Sequence, residues 1–237
     1  MQNRNEAKWR NELKYLSPEY ILTAIEARAK CVLKTDNHTG ERGFYAIRSI
    51  YFDDYDNRCY FENEDGTDPR EKFRIRAYNC SKERISLELK QREKGKCHKI
   101  SCPMSLSMCE KIMSGKIPEA KSDTPYLIKK LICQMQSRAL KPVVIVSYER
   151  VPLVYEVGNV RVTFDRNIRS STNIEDFFEK KLAARPILSV NTNMIEVKFD
   201  EFLPDFINEV LQTSMLAQTS FSKYYFCRKC NFVSEPI

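Results

Sequence analysis

Histidine and glycine are scarce in this chain, with 2 and 6 residues among 237. Only His38 and His98 are available to a histidine-based metal centre or a Ser–His or Cys–His catalytic pair, and no such pairing stands out. With 6 Gly, 10 Pro, 42% hydrophobic and 30% charged residues, the composition excludes a repeat fibre or a disordered chain and is that of a folding globular protein. No stretch approaches the roughly 18 apolar residues a membrane span needs. The opening MQNRNEAKWRNELKYL has no apolar signal core, so a cytoplasmic chain without a membrane segment is expected. The 9 cysteines are odd in number and widely scattered, unlike the framework of a small secreted domain, which points to reduced thiols. One pair, Cys227-x-x-Cys230, has metal or redox spacing, but no second pair follows it.

What the sequence has in quantity is charge in a period-two pattern. Polar and apolar residues alternate in Arg10–Leu16, Ala46–Asp53, Glu71–Tyr78, Ile85–Arg92, Val143–Val151, Val160–Arg166 and Met194–Asp200, which predicts strands. Helical spacing predicts helices over Pro18–Leu33, Ser105–Met113, Pro125–Ala139, Asn173–Leu182 and Leu203–Leu216, and turn residues at 37–40, 64–69 and 158–159 separate the elements. The expectation is one α+β domain over residues 1–237, since no repeat or linker divides it.

The strands sort their residues sharply by face. Lys72, Arg74, Arg76 and Tyr78 oppose Phe73, Ile75 and Ala77, while Ser86, Glu88, Lys90 and Arg92 oppose Ile85, Leu87 and Leu89. Arg10, Glu12 and Lys14 share a face, as do Arg161, Thr163 and Asp165, and Glu196, Lys198 and Asp200; Arg150 lies with Tyr148 and Val146. Alternation alone fits the solvated outside of an ordinary sheet. Against that reading, the Lys72 to Arg76 face is wholly cationic where a solubility surface would mix its signs, and the amphipathic helices need the strands' apolar backs to cover. Charges pointing inward would make a closed antiparallel β-barrel with helices outside. Such a lining repels itself unless water or a polyanion fills it, and guanidinium with ammonium groups suits a chain of phosphates. Carboxylates among these cations would hold Mg2+ or Mn2+ against the phosphates.

The ordered segments Arg10-Asn11-Glu12-Leu13-Lys14-Tyr15, Arg48-Ser49-Ile50-Tyr51-Phe52-Asp53, Lys72-Phe73-Arg74-Ile75-Arg76, Leu87-Glu88-Leu89-Lys90, Tyr148-Glu149-Arg150, Arg161-Val162-Thr163-Phe164-Asp165, Glu196-Val197-Lys198 and Ser222-Lys223-Tyr224 resemble the VTC domain. This is the polyphosphate polymerase domain of the vacuolar transporter chaperone type, a branch of the triphosphate tunnel metalloenzymes within the CYTH-like superfamily. The resemblance covers almost the whole chain. It implies a metal-dependent enzyme that moves the γ-phosphoryl group of a nucleoside triphosphate onto a polyphosphate chain inside a basic tunnel. By the same resemblance the basic positions are Lys14, Arg74, Arg76, Lys90, Lys99, Arg150, Arg161, Lys198 and Lys223, with Lys99 in a less distinctive loop. Arg74, Arg76 and Arg161 would clamp the triphosphate, and Glu196 would hold the metal with Glu12 or Glu88.

Two departures qualify this reading. Arg10 replaces the first acid of the Glu-x-Glu-x-Lys opening of tunnel triphosphatases, which favours the polymerase branch. Ser220 replaces a further Lys of the eukaryotic polymerases, so one cationic contact is missing, which bears on turnover more than on binding. Triphosphate hydrolysis and a non-catalytic polyphosphate-binding module are the alternatives; nucleic acid is not expected as a partner. Asp53-Asp54 reads as a strand-end turn before a metal site, and Tyr224-Tyr225-Phe226 as packing before a base-stacking platform.

Overall fold

The computed structural model describes residues 9–212, 214 and 216–232. The first eight residues, and part of the helix expected to reach Leu216, lie outside them. The strands are β1 (Asn11–Pro18), β2 (Lys34–Thr35), β3 (Tyr45–Asp53), β4 (Arg70–Tyr78), β5 (Ile85–Glu93), β6 (Lys96–Pro103), β7 (Lys141–Tyr155), β8 (Val160–Ser171), β9 (Arg185–Pro186) and β10 (Thr192–Phe199). The α-helices are α1 (Glu19–Val32), α2 (Arg58–Glu64), α3 (Leu106–Met113), α4 (Tyr126–Ser137), α5 (Asp205–Leu211) and α6 (Lys223–Phe232). All ladders are antiparallel, in the order β1-β10-β8-β7-β3-β4-β5-β6, with β2 on β7 and β9 on β8.

The sheet curls until its edges meet, but the closed barrel expected from the sequence is not shown. Strands β1 and β6 are joined at one bridge, Arg10 to Cys97, by reciprocal backbone hydrogen bonds of 2.9 Å. Farther along β1 the segment before α6 takes over the free edge: Thr219 N–H donates to the Lys14 carbonyl at 2.9 Å, and Gln218 bridges to Tyr15. Once that segment holds the edge, β6 cannot pair there.

The apolar backs of the strands are covered from outside, as their alternation predicts. Ile50, Phe52, Phe73, Ile75, Leu87 and Leu89 pack with Cys109 and Ile112 of α3 and Leu127, Ile128, Leu131, Ile132 and Met135 of α4. In α4 the apolar stripe recurs every three or four residues and so lies along one side, whereas Tyr126, at the helix start, points to solvent. On the other flank Val162, Phe164, Ile195 and Val197 pack with Leu22, Ile25 and Ala29 of α1 and Ile207 and Leu211 of α5.

Four differences from the sequence expectation have local causes. The helix expected over Asn173–Leu182 is a 3-10 turn, Ile174–Phe178, because Arg48 on the outer face of β3 draws four carbonyls toward its guanidinium: those of Asp176, Phe177, Glu179 and Lys180. The helix expected over Leu203–Leu216 is limited to α5 (Asp205–Leu211), followed by Gln212 in the left-handed region at φ 48°. Lys99 sits in β6 rather than in a loop; its strand was hidden because its outward residues, His98, Ile100 and Cys102, make no continuous apolar back. Finally, α6 was not foreseen. Its Tyr224, Cys227 and Cys230 fill the curl at one end with Ile47, Val144, Val146, Ile168 and Met194, so part of the interior is apolar. Cys227 and Cys230 are packed there as free thiols, and the described residues form no cluster of three or more His, Cys, Asp or Glu able to hold a metal.

Asp53 ties this helix to the sheet, and the Asp53-Asp54 pair is the strand-end turn its sequence suggested. The fully buried Asp53 carboxylate accepts from Cys59 N–H at 2.8 Å, Tyr60 N–H at 3.2 Å, Asp54 N–H at 3.0 Å and the Tyr224 hydroxyl. Asp54 accepts from Arg58 N–H at 2.9 Å and from Arg138 at 2.6 Å. Tyr225 stacks on Tyr60 and Phe226 on Phe221, with centroids 5.1 and 4.4 Å apart, so these rings are engaged in packing. Asp53→Ala strands the buried donors and is expected to lower stability by about 3 kcal/mol, measured by urea unfolding, with α6 losing hydrogen-exchange protection first.

Candidate functional site

Because side chains alternate along a strand, the curled sheet brings one parity from each strand to a common interior. A cavity of about 530 Å3 opens there, lined by Arg10, Glu12 and Lys14 of the β1 edge, Lys72, Arg74 and Arg76 of β4, Lys90 of β5, and Cys97 and Lys99 of β6. Arg150 of β7, Arg161 of β8, Glu196 and Lys198 of β10, and Ser222 and Lys223 at the start of α6 complete the ring. Every basic residue expected at the site therefore lines one cavity. The sequence reading did not single out five tyrosines that line it too, Tyr45, Tyr51, Tyr78, Tyr148 and Tyr224, nor Lys72 as a site residue. For four of the tyrosines the signal was available, since Tyr51, Tyr78, Tyr148 and Tyr224 each have a charged residue within two positions; Tyr45, between Gly43 and Ile47, has none.

Cross-strand register decides which charges neutralise each other. Arg74 stands opposite Glu88, and its Nε donates to Oε2 at 2.6 Å; Lys99 reaches Glu88 Oε1 at 3.1 Å. Arg150 grips Asp165 through Nε and Nη2 at 2.6 and 2.7 Å, and Lys223 meets the same carboxylate at 2.6 Å. Arg161 pairs with Asp36 at 2.8 Å and Arg10 with Asp200 at 3.1 Å. Tyrosine hydroxyls accept from the guanidinium groups as well: Tyr51 from Arg74 at 2.9 Å, Tyr148 from Arg76 at 3.1 Å and Tyr45 from Arg161 at 2.9 Å. The arginines are thereby fixed in direction before any ligand arrives.

The carboxylates expected to hold a metal fall into two groups. Glu12 and Glu196 come together across the β1–β10 ladder, where Lys14 is opposite Glu196 and Glu12 opposite Lys198. The Lys198 ammonium lies 3.1 Å from Glu12 Oε1 and directly on Glu196 Oε1, with Lys14 3.0 Å from Glu12 Oε2. Two carboxylate oxygens thus converge on one cation, a hard-oxygen donor pair of the kind Mg2+ or Mn2+ uses alongside phosphate oxygens. Glu88 does not join them. It is held by Arg74 and Lys99, so the structure separates it from the other two.

Burial alone would raise these carboxyls, but the cations prevail. Lys14, Lys198 and Lys90 hold Glu12 well below the usual carboxylate range; Lys198, Arg150 and Lys223 do the same for Glu196 against the repulsion of Glu12. Arg74, Arg76 and Lys99 do so for Glu88. Two groups instead titrate near neutrality. Burial would raise the Tyr51 phenol, yet Arg74, Lys90 and Arg76 bring it down to about 7. Burial, reinforced by Lys90 against the pull of Tyr51, brings the Lys72 ammonium down to about 8.

Both groups ionise near 10 in an unfolded chain, so from about pH 7 upward the unfolded state binds more protons than the folded one, and stability rises with pH. Above about pH 8.5 buried thiols act oppositely, because burial raises Cys59 to about 12 and Cys109 to about 12. The expected result is therefore a difference: between pH 7 and about 8 the unfolding midpoint rises more in the wild type than in Tyr51→Phe. Ultraviolet titration should show one tyrosinate forming near neutral pH that the variant lacks.

The sequence matches the VTC domain family over residues 9–232. A search of curated proteins finds no match. Among solved structures, a candidate adenylate cyclase from Bacillus halodurans is similar at 16% identity and a TM-score of 0.54, covering 91% of this chain and 94% of that one. A Pyrococcus horikoshii protein is similar at 13% identity and 0.47, covering 93% and 98%. A Mimivirus capping enzyme triphosphatase is similar at 9% identity and 0.43, covering 89% of each chain. The first likeness shows a shared fold and nothing finer. The match along nearly all the described residues settles the family: this chain belongs to the VTC domain family.

Proposed function

We propose that the chain is a metal-dependent polyphosphate polymerase that transfers the γ-phosphoryl group of a nucleoside triphosphate onto a polyphosphate chain. The observation that carries this reading is the 530 Å3 cavity in which Arg74, Arg76, Arg150 and Arg161 converge with six lysines beside the Glu12–Glu196 pair. Phosphoryl transfer requires positioning and charge neutralisation more than covalent catalysis, and this lining supplies both.

Arg74 and Arg76, held by Tyr51 and Tyr148, are aimed to grip phosphate oxygens, and Arg161 does so from β8. A terminal oxygen of the acceptor chain attacks the γ-phosphorus, the bond from that phosphorus to the β-bridging oxygen breaks, and the nucleoside diphosphate departs with the electron pair. Lys14, Lys90 and Lys223 offset the charge on the transferring group. Glu196 and Glu12 would hold Mn2+ or Mg2+, which when bound neutralises further phosphate charge. With water as acceptor the same arrangement would hydrolyse triphosphate, and with Ser220 in place of a cation it would bind the chain without turnover. Product analysis separates the three.

Incubation with ATP and Mn2+ is expected to yield polyphosphate and nucleoside diphosphate; orthophosphate alone would establish hydrolysis, and binding without turnover would establish a storage or sensing module. Arg76→Ala and Glu196→Gln should each lower the transfer rate about 100-fold or more. Arg74→Ala also strands the buried Glu88 carboxylate, so the double variant Arg74→Ala/Glu88→Gln is the fairer test of the clamp and should lose a similar factor. Wild-type rates in Glu196→Gln and the double variant would remove these residues from the site.

A further inference from the structure

The carboxylates inside the curl are unevenly shared. Arg74, Arg150, Arg161, Lys14, Lys198 and Lys223 each have one within 3.1 Å. Among the described residues Lys72 and Lys90 have none so close. They face each other across the β4–β5 ladder, where Lys72 donates to the Asn63 amide oxygen at 3.2 Å and lies over the Tyr224 ring. The next inward-facing pair along the same ladder is Arg70 opposite Arg92, again like charges in direct register. Burial lowers Arg70 and Arg92 lowers it further, against a weaker opposing pull from Asp68 and Glu62. Its Nη1 donates to the Thr67 carbonyl at 2.7 Å, and neither guanidinium forms a close ion pair with a carboxylate among the described residues. Like charges opposite one another in a ladder are destabilising, and two consecutive pairs call for a ligand that relieves both.

The cavity walls show where that ligand runs. A cleft of about 190 Å3 shares Glu12, Lys14 and Cys97 with the central cavity and is bounded outward by Arg92, Gly95 and Ser220. A hollow of about 390 Å3 shares Lys72 with the central cavity and holds both Arg70 and Arg92, with Glu62, Glu71 and Glu93 also on its walls. Arg92 therefore lines both spaces that lead off the central cavity past this end of β4 and β5.

We infer that the β4–β5 end is the mouth through which a polyphosphate chain passes, and that Arg70 and Arg92 form a rim subsite for phosphates beyond those held inside. The inference rests on the proposed tunnel function and adds to it a direction and a chain-length preference. Phosphates are the fitting chemistry because the four cations form two rungs of adjacent charge, to be met by a ligand carrying regularly repeated charge along its length.

The test compares inorganic tripolyphosphate, short enough to sit inside, with polyphosphate of many tens of phosphates, by calorimetric titration of wild type, Arg70→Gln/Arg92→Gln and Arg92→Lys. In the double variant the long chain should bind about tenfold more weakly and with a shallower salt dependence, while tripolyphosphate affinity stays within about twofold. Retained tripolyphosphate binding also shows that the variant is folded, and Arg92→Lys should restore part of the long-chain affinity. Equal loss for both ligands, or no loss for either, overturns the rim subsite. Failure of the wild type to bind either ligand overturns the tunnel reading itself, and the subsite with it.

Discussion

Mutual neutralisation inside a curled sheet is the constraint on which the rest of the structure depends. The cations required for a polyanion would repel one another in the empty protein, and burying them unpaired would cost several kcal/mol each. The fold meets this with register. Antiparallel pairing sets Glu88 beside Arg74, Asp165 beside Arg150 and Glu12 beside Lys198, so carboxylates from neighbouring strands hold the arginines and lysines in place. Tyrosine hydroxyls take up part of the remaining hydrogen-bonding capacity. An empty cavity can then be both strongly basic and structurally tolerable.

The outer helices follow from the same parity. Once the charged residues are committed inward, Phe73, Ile75, Leu87 and Leu89 must face out, and only a helical layer can remove them from water. The stripe of α4 and the buried side of α1 provide that layer. The interior filling under α6 has a different origin: β3 and β7 carry Ile47, Val144 and Val146 inward where other strands carry charge, and a helix with apolar residues of its own is needed to cover them.

Much of this was legible in the sequence where alternation was strong. The two faces of β4, β5, β8 and β10 could be separated residue by residue, and the charged one supplied Lys72, Arg74, Arg76, Lys90, Arg161, Glu196 and Lys198 to the cavity wall. The helix over α6 was not legible, because Lys-Tyr-Tyr-Phe-Cys-Arg-Lys-Cys-Asn-Phe mixes aromatic and cationic residues all round and shows no clean stripe. Strand β6 was hidden by its poor apolar back. The incomplete closure could not be foreseen either, since it turns on a distant segment, Gln218 and Thr219, competing for the edge of β1. Nor does period-two patterning reveal register. That Lys72 meets Lys90 while Arg74 meets Glu88 is a property of the pairing, and it divides the part of the interior that carboxylates neutralise from the part where like charges face each other.

The strand order has a consequence for how this protein comes into being. Strand β1 pairs with β10, Asn11 opposite Phe199, so the first strand of the sheet waits for nearly the last. During synthesis residues 11–18 leave the ribosome well before residues 192–199, and this strand lacks its partner until they follow. Contacts this distant in sequence are slow to form. Until β10 arrives, Glu12 and Lys14 of β1 lack the ladder that sets them beside Lys198 and Glu196 in the cavity wall.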